Sequence, residues 1–69
     1  MKLHQKVGQL LESGKDISFT WCPEKSYGLV SLKKRGRFKE VKARYYEHED
    51  LLLTLIHCEE KLERILREA

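Results

Sequence analysis

The chain has 69 residues, 36% of them charged and 41% hydrophobic, and its formal net charge is +3. This length allows one small domain, over residues 1–69, with little room for a pocket holding several positioned catalytic groups, so we expect no enzyme activity and no cofactor. The longest apolar runs are far too short to cross a membrane and the N-terminus has no hydrophobic signal region, which predicts a cytoplasmic protein without membrane contact.

The first two predicted elements are a helix and a strand. Apolar residues at 3, 7, 10 and 11 fall on one helix face, and Gly14 suits a left-handed end, so a helix is predicted over residues 2–13. Residues 17–22 alternate strictly between apolar and polar side chains, which is typical of a half-buried strand. Pro23 then favours a turn.

Two further strands are predicted over residues 27–33 and 37–46, joined by Lys34, Arg35 and Gly36 as a hairpin connection. The alternation places Val30 and Leu32 on the core face of the second strand. It places Val41, Ala43 and Tyr45 on the core face of the third, so that Lys42 and Arg44 point outward.

The last segment predicts a long helix from about residue 48 to 68. Spacings of three and four, as in an apolar heptad stripe, relate His48, Leu51, Leu55, Cys58, Leu62, Ile65 and Ala69. Further apolar residues lie off this stripe, which is more than one small sheet needs to cover. We therefore predict a homodimer through this helix, with an interface formed by Leu52, Leu53, Ile56 and Leu66. A monomer in which the first helix covers these residues is the alternative.

The predicted fold class is α+β. Its element order is α-β-β-β-α, a three-stranded antiparallel meander with one face covered by helices and a long C-terminal helix. The covered face is expected to carry the apolar side chains Ile17, Phe19, Trp21, Val30, Leu32, Val41 and Ala43.

Charge is segregated along the chain. Residues 25–44 contain eight basic residues and one acid, a net of +7, whereas residues 47–69 have a net of −4. A local field of this kind attracts an anionic polymer more strongly than the overall charge suggests. We predict that DNA or RNA is bound by a basic hairpin and sheet face that contains Lys33, Lys34, Arg35, Arg37, Lys39, Lys42 and Arg44.

No metal site is predicted. Cys22, His57 and Cys58 match no spacing typical of zinc ligands, and a fourth ligand is missing. Acidic residues at 47, 49 and 50 are explained by the preference of helix N-termini for negative charge. Both cysteines are expected to be reduced in the cytosol.

The order and length of the elements resemble the double-stranded-RNA-binding domain. That family grips phosphates with lysines at the start of its last helix, where this chain has Glu47, His48, Glu49 and Asp50, so no binding residue is transferred. The basic meander followed by a helix is also similar to the arm-type DNA-binding domains of phage and transposon integrases, which place the sheet face in the major groove.

Two functions are therefore open. The first is a small non-enzymatic nucleic-acid-binding accessory protein of the kind found in phages and mobile elements. The alternative is a protein-interaction module, such as a phage-encoded inhibitor or adaptor, that binds a host protein.

Overall fold

The computed structural model describes residues 2–68, and its element order confirms the predicted α-β-β-β-α arrangement. The elements are α1 (Leu3–Glu12), β1 (Lys15–Cys22), β2 (Tyr27–Lys34), β3 (Glu40–Tyr45) and α2 (Leu51–Glu68). Single 3-10 turns, Pro23–Lys25 and His48–Asp50, follow β1 and precede α2.

The three strands form one antiparallel sheet in the order β1-β2-β3. Both helices pack on one face of it, α1 against β1 and α2 against β2 and β3. We call the other face, which no helix covers, the open face. The predicted facing of β2 and β3 is confirmed, because Val30, Leu32 and Val41 are buried on the helix side, where Val30 pairs with Ala43 and Leu32 with Val41.

The core lies between α2 and the two strands beneath it. Its fully or nearly buried members come from both helices and from β2 and β3: Leu10, Val30, Leu32, Val41, Leu51, Leu55, Cys58 and Leu62. Leu51, Leu55, Cys58 and Leu62 are heptad positions predicted for α2, whereas the predicted position Ala69 lies outside the described residues. His48, the first predicted heptad position, is instead exposed in the 3-10 turn, and α2 begins at Leu51. Tight turns of this kind commonly precede helices.

Two strand boundaries differ from the prediction by more than one residue. β1 begins at Lys15, because Lys15 and Asp16 pair with Lys34 and Lys33 of β2. These two charged residues lack the alternation of apolar and polar side chains by which the strand was predicted. β3 begins only at Glu40, because the Arg37 N–H donates to the Lys34 carbonyl at 3.0 Å and closes a turn. Gly36 has the positive φ of 80° that this turn requires. The connection is therefore five residues long.

The prediction that the helices cover Phe19 and Trp21 is wrong. These side chains point to the helix side but are 43% and 51% exposed. The reason is length, because ten residues of α1 span about 15 Å and eight residues of β1 span about 27 Å. α1 contacts β1 and leaves the far end of that strand uncovered.

No helix among residues 2–68 is both long enough and apolar enough to cross a bilayer.

A candidate nucleic-acid interface

Four cations lie at one end of the sheet, in the last residue of β2 and in the connection that follows it. We call residues 34–39 the hairpin tip; its basic residues are Lys34, Arg35, Arg37 and Lys39. Among the described residues, no carboxylate lies within 4.0 Å of the charged groups of Arg37 or Lys39. Both side chains are exposed, so their charge is available to a ligand.

The other two cations of the tip are held by contacts within the chain. Lys34 lies on the helix side of the sheet, where its ammonium donates to the Ser13 carbonyl at 2.7 Å. The Arg35 guanidinium forms an exposed ion pair with Asp16 at 3.0 Å. An exposed pair of this kind contributes little to stability, so a phosphate can compete with Asp16 for Arg35.

Phe38 lies between Arg37 and Lys39 and is fully exposed. The Phe38 ring is not buried in the core. Because burying an aromatic ring is strongly favourable, a partner that covers Phe38 would gain binding free energy. Neither the charge pattern nor the strand alternation of the sequence singles out this residue. Its position between two cations in a connection, outside the alternating pattern of the strands, was the signal that could have identified it.

The open face is less cationic than predicted. Lys33 of β2 lies between Asp16 of β1 and Glu40 of β3 in one row across the sheet. The Lys42 ammonium is 3.6 Å from the Glu40 carboxylate. The structure therefore brings Lys33, Lys42 and Arg44 together on this face but places two carboxylates among them.

Glu40 is held in its ionised form. The Ser31 hydroxyl donates to its carboxylate at 2.7 Å. This hydrogen bond, with the nearby charges of Lys42 and Lys33, lowers the pKa of Glu40 against a smaller opposing effect of desolvation. Glu40 is consequently a fixed negative charge at neutral pH, and it orients Lys42 along the surface.

Aromatic rings line the other end of the open face. The Arg44 guanidinium lies over the Tyr27 ring at 4.7 Å from its centre. Tyr46 meets Tyr27 edge to face with ring centres 6.0 Å apart, and Tyr46 is 60% exposed. Planar guanidinium and aromatic groups of this kind can stack on bases.

A shallow groove of about 200 Å³ crosses the middle of the open face. Its walls come from all three strands and are mostly hydroxyl-bearing or charged: Ser18, Thr20, Leu29, Ser31, Glu40 and Lys42. Hydroxyl groups can donate to phosphate oxygens, so the groove extends the polar surface that begins at the tip.

The described residues contain no group of three His, Cys, Asp or Glu side chains placed to hold a metal ion. Cys22 is half-buried and Cys58 is buried, and both are free thiols. Burial raises the pKa of the Cys58 thiol, which favours its neutral form in the core.

The four residues predicted at a dimer interface have different surroundings. Leu53 is 54% exposed on the outer side of α2. Leu52 and Ile56 are half-buried, and Leu66 packs against the core of its own chain. Only Leu53 thus presents a largely free apolar side chain.

Comparisons with protein-family models, with curated proteins and with solved structures gave no match.

Proposed function

We propose that this chain is a small non-enzymatic accessory protein, of the kind encoded by phages and mobile elements, that binds DNA or RNA through its hairpin tip and open face. The observation that carries the proposal is the fully exposed Phe38 between Arg37 and Lys39. Cations on an exposed connection at the end of the sheet can contact phosphates.

Each part of the surface has a distinct role in this proposal. Arg37 and Lys39 contact phosphates first, and Arg35 joins them by exchanging Asp16 for a phosphate. Phe38 stacks on a base or enters a base step, which supplies binding free energy independent of salt. Lys33, Lys42 and Arg44 continue the contact along the open face, while Lys34 acts mainly by anchoring the tip to Ser13.

The salt dependence of binding tests the role of the cations. If about five phosphates are neutralised, the logarithm of the affinity should fall with the logarithm of salt concentration with a slope of about −4 to −5. Replacing Arg37 and Lys39 together with alanine should make this slope shallower by about two. Fluorescence anisotropy measures the affinity of the protein for labelled duplex DNA, single-stranded DNA and RNA at each salt concentration.

A matched control is available on α2. Lys61→Ala with Arg64→Ala removes the same charge from exposed helix positions outside the tip. It should leave the slope nearly unchanged. The proposal would be contradicted if the control variant made the salt slope equally shallow. It would also be contradicted if excess wild-type protein bound no nucleic acid at low salt.

A homodimer is part of the same proposal, because two copies double the number of phosphate contacts. Of the four residues predicted at an interface on α2, only Leu53 is a largely exposed apolar residue, so this helix face alone offers a dimer little apolar surface. Sedimentation of Leu53→Glu tests it, since loss of the dimer would assign the contact to α2 and an unchanged dimer would assign it to another surface. Action in the cytoplasm, where Cys22 and Cys58 stay reduced, completes the proposal.

The alternative function, a module that binds a host protein, is favoured by one observation, the exposed Phe19 and Trp21. It predicts that the immobilised chain retains one specific protein after nuclease treatment and that Trp21→Lys abolishes this retention. Retention that disappears with nuclease would instead support nucleic-acid binding.

A further inference from the structure

The outer edge of β1 is an unprotected strand edge. β1 pairs with β2 through eight residues in continuous register, and its other side faces no strand in the sheet. Proteins commonly guard such edges with lysine, proline or a bulge. The other edge strand, β3, carries Lys42 and Arg44, whereas residues 17–22 of β1 carry no charge and no proline.

Two exposed apolar residues lie at one end of this edge. Phe19 and Trp21 are on the helix side of β1, beyond the part of the strand that α1 covers. The ring of Trp21 has one aromatic neighbour, Tyr45, at 6.1 Å between ring centres. The remaining exposed surface of both side chains is open to a partner that approaches along the edge.

A third exposed apolar residue overhangs the other end of the edge. Lys6 forms an ion pair with Glu59 and thereby marks the side of α1 that faces α2. Leu11 lies about 140° around the helix from Lys6, at about 100° per residue, and is therefore on the side away from α2. Leu11 is 47% exposed. Because α1 packs on β1 and ends just before that strand begins, this orientation places Leu11 towards the outer edge of β1, near its start.

We propose that two copies of this chain dimerise by antiparallel pairing of their β1 edges, with Phe19 at the two-fold axis. The result is a continuous six-stranded sheet. Ile17 then lies opposite Trp21 of the second copy, and Ser18 lies opposite Thr20 of the second copy. Leu11 of each copy comes over Trp21 of the other.

The occupant is a second copy because the surface is complementary to itself. The exposed rings of Phe19 and Trp21 lie at the end of β1 that no helix covers. Leu11 of α1 lies over the other end of the strand. A two-fold axis brings each end against the other, so one contact removes all three exposed apolar residues from water. Asp16 then faces Cys22, and Lys15 faces Pro23, so no like charges are opposed.

The single tryptophan of the chain reports this contact. Sedimentation over a wide dilution series should show wild-type dimer at high concentration and monomer at low concentration. The emission of Trp21 should shift to longer wavelength over the same dilution. Leu11→Glu should give a monomer throughout, with emission that no longer depends on concentration.

The matched control is Leu53→Glu, which places the same charge at a similarly exposed leucine on α2. It should leave the dimer unchanged. Trp21→Lys alone should also give a monomer, and it serves as the second variant if Leu11→Glu does not fold. Combining the two substitutions should restore the dimer, because the introduced carboxylate and ammonium face each other across the contact.

Wild-type protein that stays monomeric throughout the series would overturn this inference. So would a dimer that survives Leu11→Glu alone and also survives Trp21→Lys alone, or one that only Leu53→Glu dissociates. None of these measurements includes nucleic acid, so the edge contact can fail while nucleic-acid binding stands, and the reverse.

Discussion

Gly28 is required by a neighbouring side chain rather than by its backbone. It lies opposite Tyr45 in the sheet, and an added Cβ would be 2.3 Å from the nearest ring atom of Tyr45. The ring therefore occupies the space that a side chain at position 28 would need. Trp21 lies opposite Gly28 on the other strand, so the glycine has aromatic residues on both sides.

Gly28→Ala should displace Tyr45 and lower the free energy of unfolding by about 1–3 kcal/mol, as overpacking commonly does. Urea denaturation monitored by circular dichroism measures this loss. Gly8→Ala is the control, because a Cβ at this helical position meets no atom within 4 Å. It should stabilise the protein by about 0.5–1 kcal/mol, and a loss of stability there would contradict the argument.

Lys15 is the one buried charged residue of the described chain, with 4% of its surface exposed. Its ammonium is 3.0 Å from the Glu63 carboxylate of α2 and also donates to the Ser13 hydroxyl at 3.2 Å. The hydrogen bond from Lys15 and its positive charge lower the pKa of Glu63. The pair thereby links the start of β1 to the last turns of α2.

This lowered pKa gives a definite pH dependence. Ionised Glu63 stabilises the fold above its ordinary pKa, and this contribution is lost as the pH falls through the lowered value. Because Glu63 is about half exposed, Glu63→Gln should cost at most about 1 kcal/mol at neutral pH. Urea unfolding from neutral to acidic pH should show the difference between variant and wild type disappearing in acid.

Glu60→Gln is the control for this measurement, since Glu60 is an exposed glutamate of the same helix. It should show no comparable loss at neutral pH. A Glu63→Gln difference that persists unchanged into acid would show that the carboxylate charge is not what stabilises the contact.

At the scale of elements, α2 holds the sheet through one narrow stripe. Leu55 and Leu62 are fully buried, whereas Leu53, on the same helix, is 54% exposed. Truncating Leu55 or Leu62 to alanine should cost about 2–5 kcal/mol, because it removes buried methyl groups and leaves a cavity. Leu53→Ala should change the unfolding free energy of the monomer by less than about 0.5 kcal/mol.

Thermal and urea unfolding at a concentration low enough to keep the chain monomeric measure these differences. Equal losses at Leu53 and Leu55 would contradict a single buried stripe.

The elements themselves were readable from residue spacing, because spacing reports which side chains share a face. The heptad stripe of α2 and the alternation at Val41, Ala43 and Tyr45 both identified the buried side correctly. Spacing does not report how far one element extends over another. For that reason, the exposure of Phe19 and Trp21 depended on the relative lengths of α1 and β1 and was missed.

The candidate interface was only partly predictable for a similar reason. Charge along the chain indicated that the segment from residue 25 to 44 is cationic, but not how its basic residues are arranged in space. It could not show that Asp16 is brought beside Arg35, which follows from the register of β1 against β2. It also could not show that Glu40 holds Lys42, because that contact depends on where β3 begins.

At the scale of the whole molecule, a basic connection and an acidic connection lie at opposite ends of the sheet. The molecule measures 35 × 24 × 16 Å. The hairpin tip lies at the end of the sheet where β2 passes into β3, and the acidic residues Glu47, Glu49 and Asp50 follow β3 at the opposite end. The net charge of +3 therefore understates the difference between the two ends.

This separation should appear in the kinetics of nucleic-acid binding. Added salt should reduce the association rate much more than it raises the dissociation rate, because screening acts on the approach of the two molecules. Stopped-flow mixing with labelled oligonucleotide measures both rates. Glu47→Gln with Glu49→Gln should leave the tip intact and reduce the effect of salt on the association rate. A salt effect carried mostly by the dissociation rate would contradict this prediction.

Because the basic tip and the acidic connection lie at opposite ends of the sheet, the molecule would experience a torque in the field of a polyanion before the two surfaces touch. Under the proposed function, rotational diffusion would then be biased so that Phe38 and its flanking cations arrive first. A larger share of random collisions would become productive.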